Sequence, residues 1–254
     1  MKLGLVLECD VGGPDERVLT CFARRLVPNI KVEPVALGDK PTIFSKGVET
    51  AQRLVETNGC DLVLIVWDLK PFLQGPPPAT HCIDEAEVLR QRLVALKPAT
   101  RVKIRLLCLT WELETWFIAD AKAVSAYLST GTHKKKFKCA KPEDKTDPKA
   151  VLDKACKAAR RGLGYEDFKE AIRIACEIEK TNKLQSIDTF KRFAKLLTGD
   201  PAAPFQQTSD ACKDLRHGAA MMGQPGAPSP TQALKPAAPA SQPSKAKPRR
   251  KKSR

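Results

Sequence analysis

The sequence predicts an α/β fold in which a mostly parallel sheet is flanked by helices. Short runs rich in Val, Ile and Leu recur at 2–8, 31–37, 61–67 and 102–109, and segments with helical apolar spacing alternate with them. One run, Leu62-Val63-Leu64-Ile65-Val66-Trp67, is apolar without a break, as a strand covered on both faces requires. Strand and helix alternating four times is the pattern of a sheet whose crossovers lie on its faces.

Each helix follows from the position of its apolar residues. Val18, Cys21, Phe22 and Leu26 place one helix at 15–27. Val48, Ala51, Leu54 and Val55 place a second at 46–58, and Ala86, Leu89, Leu93 and Leu96 a third at 83–96. Beyond 111 only helical periodicity remains, at 112–128, 148–160, 165–180 and 186–198, with a loop at 130–147. From Gly199 the composition turns to Ala, Pro, Ser and Gln, and prolines from 225 to 243 exclude a packed helix. The expected organisation is an α/β core at 1–110, a helical region packed on it at 111–198, and a disordered linker with a basic tail at 199–254.

Composition narrows the function classes. The chain has 254 residues, 42% hydrophobic and 29% charged, which is enough for a real core and excludes a wholly disordered or fibrous protein. Its net charge is +15, and seven cations between 245 and 254 stand without an acid. The rest of the chain is still basic, which suits a phosphate-rich partner. No apolar run reaches the roughly 20 residues of a membrane span, and Glu8 and Asp10 interrupt the start too early for a secretory leader. A cytoplasmic location with no membrane partner is therefore expected. Nine scattered cysteines without a C-x-x-C pair read as buried reduced thiols rather than a zinc site or a disulfide framework. No P-loop, dinucleotide fingerprint or nucleophile elbow is present, and His81, His133 and His217 stand apart from other ligand types.

Open α/β sheets place their chemistry beyond the carboxyl ends of the strands. Glu8 and Asp10 follow the first run, Asp68 ends the third, and Glu112 and Glu114 follow the fourth. Carboxylates converging there repel one another unless a divalent cation neutralises them, and hard oxygen ligands suit Mg²⁺ or Mn²⁺. The plainer account of each is a solvated strand end or a helix-dipole partner. Glu112 and Glu114 cannot both face one point if the helix has already begun, because residues two apart diverge by about 200°, so one of them is expected to face solvent. Leu113, Trp116, Phe117 and Asp120 share one face, so the aromatics read as core, with Asp120 at the edge of the stripe.

These residues resemble a known family. Leu-Val-Leu-Glu8-Cys-Asp10, Leu-Ile-Val-Trp-Asp68, Glu112-Leu-Glu114-Thr-Trp116-Phe-Ile-Ala-Asp120 and Ser186-Ile-Asp-Thr-Phe190-Lys-Arg-Phe193 resemble the domain-of-unknown-function family 4276, a Toprim-like, mainly bacterial group, over about 1–198. The resemblance implies a Toprim-like nuclease core with a companion ATPase and a setting in anti-phage defence. It gives Glu8 the role of acid/base or metal ligand and Asp68 the first place of a metal-binding Asp-x-Asp pair. The partner position holds Lys70, which cannot bind a cation. Three outcomes stand open: Lys70 contacts substrate phosphate while Glu8, Asp68 and Glu114 hold one Mg²⁺ or Mn²⁺; another acid such as Asp10, Glu112 or Asp120 joins the site; or catalysis has been lost and the chain is a nucleic-acid-binding adaptor. Lys134, Lys135, Lys136 and Lys138 around Phe137 add the cation-and-ring combination of single-strand binders, against the plainer reading of a solvated loop.

Overall fold

A computed structural model describes residues 1–70, 81–129, 133–160 and 162–216. Four strands, β1 (Lys2–Leu7), β2 (Lys31–Ala36), β3 (Leu62–Asp68) and β4 (Ile104–Leu109), form an all-parallel sheet in the order β2-β1-β3-β4. The expected fold class is what the molecule has. Among the described residues no helix is long and apolar enough to cross a membrane. The chain leaves β1 for β2 on one side, then returns past β1 to pair β3 on the other. That reversal creates a crevice at the carboxyl ends of β1 and β3, the usual ligand position in such sheets.

Side-chain alternation divides the core in two. Leu3, Leu5 and Leu7 of β1, Leu64 and Val66 of β3, and Leu107 and Leu109 of β4 face one cluster. Val6, Val63, Ile65, Trp67, Leu106 and Cys108 face the other. The first is covered by α1 (Pro14–Leu26) together with the helices that follow β4, and the second by α2 (Lys40–Glu56) and α3 (Cys82–Val94). A one-turn helix, α4 (Pro98–Arg101), leads into β4.

Local chemistry sets the helix ends. Pro14 occupies the first turn of α1, and Gly13 before it is obligatory because a Cβ there would lie 2.8 Å from the Asp10 carbonyl. Asp39 accepts from the Thr42 amide, which starts α2 at Lys40, six residues before the apolar spacing alone indicates. The expected helix at 112–128 is two helices, α5 (Glu114–Ala119) and α6 (Ala121–Leu128), because Asp120 leaves helical geometry to cap the amides of Lys122 and Ala123. α7 (Pro148–Ala159), α8 (Asp167–Glu177) and α9 (Asp188–Thr198) follow, and Gly199 ends α9 in the left-handed region. The helical region adds its apolar face to the sheet: Trp116 of α5 stacks on Phe22 of α1 at 5.9 Å and meets Phe190 of α9 edge-on at 5.2 Å.

Two expectations are corrected here. Residues 199–216 belong to the folded unit rather than to the tail: Ala203 and Cys212 are buried, and Phe205 stacks on Phe22 at 5.5 Å. Residues 217–254, with the basic terminus, lie outside the described residues. Nor are all cysteines reduced, since Cys21 is bonded to Cys212 and Cys82 to Cys108. The first pair is 191 residues apart, a proximity that only the fold creates.

Beneath the crevice lies a buried ion pair. The Lys40 ammonium, 3% exposed, donates to the Leu69 carbonyl at 2.7 Å and to Glu85 at 3.2 Å, while the Trp67 indole donates to the other Glu85 oxygen at 2.7 Å. Removing one partner of such a pair strands the other charge in a medium that solvates it poorly. Lys40→Met is therefore expected to cost about 3–5 kcal/mol in urea denaturation. Adding Glu85→Gln recovers part of that loss, because the neutral amide still accepts from Trp67; failure of the second change to recover any stability contradicts this account.

Candidate active site

Glu8 follows the last residue of β1, Asp68 ends β3, and the Asp68 backbone amide donates to Glu8 Oε2 at 3.3 Å. The two acids therefore sit side by side at the crevice. The turn Asp10-Val11-Gly12-Gly13 folds back, with the Gly13 amide donating to the Asp10 carbonyl at 2.8 Å, and this brings Asp15 of α1 to the same edge. From β4 the chain supplies Glu112, which precedes α5, and Glu114, its first residue. Since Glu112 lies outside the helix, the 200° divergence does not apply, and both glutamates approach the cluster; the expectation that one of them faces solvent is corrected.

The electrostatics record that convergence. Asp68 is raised well above the carboxylate range, first by burial and then by the charges of Asp15, Glu8, Glu114 and Glu112. Burial, opposed by Lys40 and the Asp68 amide and helped by Glu85 and Asp15, lifts Glu8 to about 7. Burial and Asp167 raise Asp15 to about 7 against the pull of Lys149. Glu114, 7% exposed, reaches about 8 through burial and the charge of Asp15. Glu112 is also raised, chiefly by burial, and its Oε2 is buried with no hydrogen-bond partner.

Neutral and cationic groups complete the edge. The Tyr165 hydroxyl donates to Glu114 Oε1 at 3.1 Å, and burial beside that carboxyl holds the phenol protonated far above its ordinary range. Lys149, in the first turn of α7, pairs with Asp167; burial works against its charge, while the Asp167 hydrogen bond and nearby acids raise its pKa. Lys70 is exposed, with its ammonium 4.4 Å from the centre of the Trp111 ring. Lys70, Glu112, Thr146, Lys149 and Tyr165 line an open groove of about 680 Å³ beside the acids.

The candidates separate accordingly. Glu8, Asp68, Glu112 and Glu114 come together, and Lys70 lies on the adjoining groove. Asp120 does not join them, since its carboxylate is committed to the start of α6. Asp10 is exposed, and its carbonyl serves the turn. Lys134, Lys135, Lys136 and Lys138 are exposed, but Phe137 is 9% exposed and packs in the core, so its ring offers no platform for a base. Sequence reasoning missed Asp15, Lys149, Tyr165 and Asp167. Pro14-Asp15-Glu16 has the form of a dipole-favoured first turn and carried no other signal.

The donor set suits a divalent cation, since burial and neighbouring acids hold its carboxyls above their ordinary range and one oxygen is orphaned. The ligand geometry is not closed, however: among the described residues no three of these carboxylates bring one oxygen each within 4.8 Å of one another. Glu8, Asp68 and Glu114 would hold an ion only after their side chains rotate inward.

No family model matches this chain, and no curated protein or solved structure matches it either.

Acids whose native pKa values exceed their unfolded ones bind more protons in the folded state, so stability falls as pH rises between the two. For Glu8, Asp15 and Glu114 that window runs from the ordinary carboxylate range to about 7–8. In EDTA, the melting temperature is expected to drop across it. Asp68→Asn should raise the melting temperature at pH 8 by about 3 °C, the worth of about 1 kcal/mol in a domain of this size, and leave it unchanged at pH 4. An equal effect at both pH values contradicts the crowding of these charges.

Proposed function

We propose that this chain hydrolyses phosphodiester bonds of nucleic acid with Mg²⁺ or Mn²⁺ at the β1/β3 crevice. One observation carries the reading: five carboxyls from three strand ends and the first turn of α1 crowd at the topological switch point, where burial first and neighbouring acids second raise their pKa values, an arrangement a bound cation would relieve. Such an ion polarises a phosphoryl oxygen and makes hydroxide available near neutral pH. Glu8 and Asp68 would hold it, with Glu114 either completing the set or orienting water. Tyr165 fixes Glu114 by its hydrogen bond, and Lys149 offsets the charge of Asp15.

Lys70 and Lys149 supply the second requirement, positive charge along the groove, and they suit substrate phosphates. This supports the phosphate-contacting role for Lys70 over a metal-ligand role. The resemblance to the Toprim-like family points the same way, and with it come a companion ATPase and an anti-phage setting as proposals. The second reading, a nucleic-acid-binding adaptor, is favoured by Lys70 in place of the second Asp and by the unclosed ligand geometry.

Labelled DNA and RNA incubated with Mg²⁺, Mn²⁺ or EDTA distinguish the two. Cleavage is expected with either metal and none with EDTA. Glu8→Gln and Asp68→Asn should each lower turnover by about 100-fold or more, and Lys70→Ala should raise KM more than it lowers kcat. Binding without cleavage under every condition establishes the adaptor, and cleavage that survives both acid substitutions removes the site.

A further inference from the structure

Apart from the acidic crevice, one cluster of ligand-type side chains is built into the core. The sulfurs of Cys21 on α1, Cys176 on α8 and Cys212 in a short 3₁₀ turn (Ser209–Cys212) all lie within 4.8 Å of one another. All three residues are buried, at 0%, 5% and 0% exposure. Cys21 and Cys212 are joined as a disulfide, and Cys176 is a free thiol beside them.

We propose that, once this disulfide is reduced, Cys21, Cys176 and Cys212 form a buried trithiolate site for a soft monovalent metal ion, Cu(I) in the first instance. Soft thiolates select Cu(I) and Zn²⁺ among the common ions. A trigonal site with metal–sulfur bonds of about 2.3 Å has sulfur–sulfur edges of about 4 Å. The three sulfurs already lie within 4.8 Å of one another, so the bonded pair has to part and the Cys176 sulfur to move by no more than about 1 Å. Zn²⁺ asks for a fourth ligand, and no other His, Cys, Asp or Glu among the described residues joins the group.

The surrounding charge favours the monovalent ion. Two guanidinium groups, Arg216 and Arg25, act on Cys176, and Arg216 Nε is buried with no hydrogen-bond partner. Three thiolates with one Cu(I) carry two negative charges, which these two arginines balance. In a region walled by Phe22, Phe205 and α8, such a balance decides whether the charged form is tolerated. Arg25 also donates to the Ala175 carbonyl at 3.2 Å, which fixes it beside Cys176.

Loading proceeds in two balanced steps. A dithiol reductant transfers two electrons and two protons to the Cys21–Cys212 bond, giving two thiols and the oxidised, cyclic dithiol. Binding one Cu(I) then releases the thiol protons, so that three S–H bonds become three metal–sulfur bonds. The 209–216 segment is held on α1 by Cys212 and by the Arg24–Asp214 pair at 2.8 Å.

The test uses the full chain, reduced anaerobically with dithiothreitol, desalted, and titrated with Cu(I) against a coloured Cu(I) chelator. One equivalent is expected to bind, with three sulfur neighbours in X-ray absorption. Cys176→Ser leaves the disulfide available in the oxidised protein, which keeps the fold, and should weaken Cu(I) binding in the reduced protein by about 100-fold or more. Cys82→Ser, at the other disulfide, should leave it unchanged. The proposal is overturned if Cys176→Ser binds as tightly as the parent, if no stoichiometric Cu(I) binds once alkylation shows Cys21 and Cys212 free, or if dithiothreitol leaves the bond closed in the folded protein.

Discussion

Glu8 and Asp68 leave adjacent parallel strands one step apart, and the burial of their carboxyls beside Asp15, Glu112 and Glu114 shapes the whole carboxyl edge. A parallel sheet covered on both faces has nowhere else to bring acids into contact with solvent, because its interior positions belong to two apolar clusters. The backbone holds the two carboxyls in place, with the Asp68 amide donating to Glu8. The rest of the edge is compensation. Lys40 opposes the rise at Glu8 from beneath, and Lys149 opposes it at Asp15 and Glu114 from α7. Tyr165 gives Glu114 a neutral donor. These responses are partial, since the acids remain above their ordinary range.

Much of this frame was legible from residue order. The strands are readable because β3 is uninterrupted and β1 and β4 carry Leu, Val, Ile or Cys at the positions that enter a core cluster. The acids at strand ends are readable because each stands where an apolar run stops. Helix starts are less so: α2 begins at Lys40 because Asp39 caps it, and capping outweighs the weaker apolar spacing of Lys40–Ser45. Glu112 and Glu114 depend on where α5 begins, a matter of one turn that periodicity does not resolve. Asp15 joins the site only through the fold-back of Asp10–Gly13, and Phe137 is buried where the irregular segment 134–138 meets α6, with the Phe137 amide donating to Ser125 at 2.9 Å.

The cysteines show the same limit in its strongest form. Spacing rules detect metal sites whose ligands lie within one loop or helix, whereas Cys21, Cys176 and Cys212 come from three separate parts of the chain. No pattern of neighbours could pair residues 191 apart. What could have been read is that residues 199–216, rich in Pro and Ala, still contain Phe205 and Cys212, two side chains that a solvated linker has little use for.

Lys70 is the point where the two halves of the site meet. Its ammonium lies over Trp111, whose indole donates to the Glu143 carbonyl at 3.0 Å. That contact turns the ammonium along the groove, where Lys149 also lines the wall. A cation in this position weakens the metal affinity of the acids and strengthens the hold on a phosphate, two effects of opposite sign on a metal-dependent phosphodiesterase. The first is distributed over five acids that already repel one another, so losing one ligand position also removes one repulsive charge. The second would act on a phosphodiester directly, in an open groove that Glu112, Asp147 and Asp153 also line. On the proposed reading, this balance favours one bound ion and a phosphate over two bound ions at the crevice.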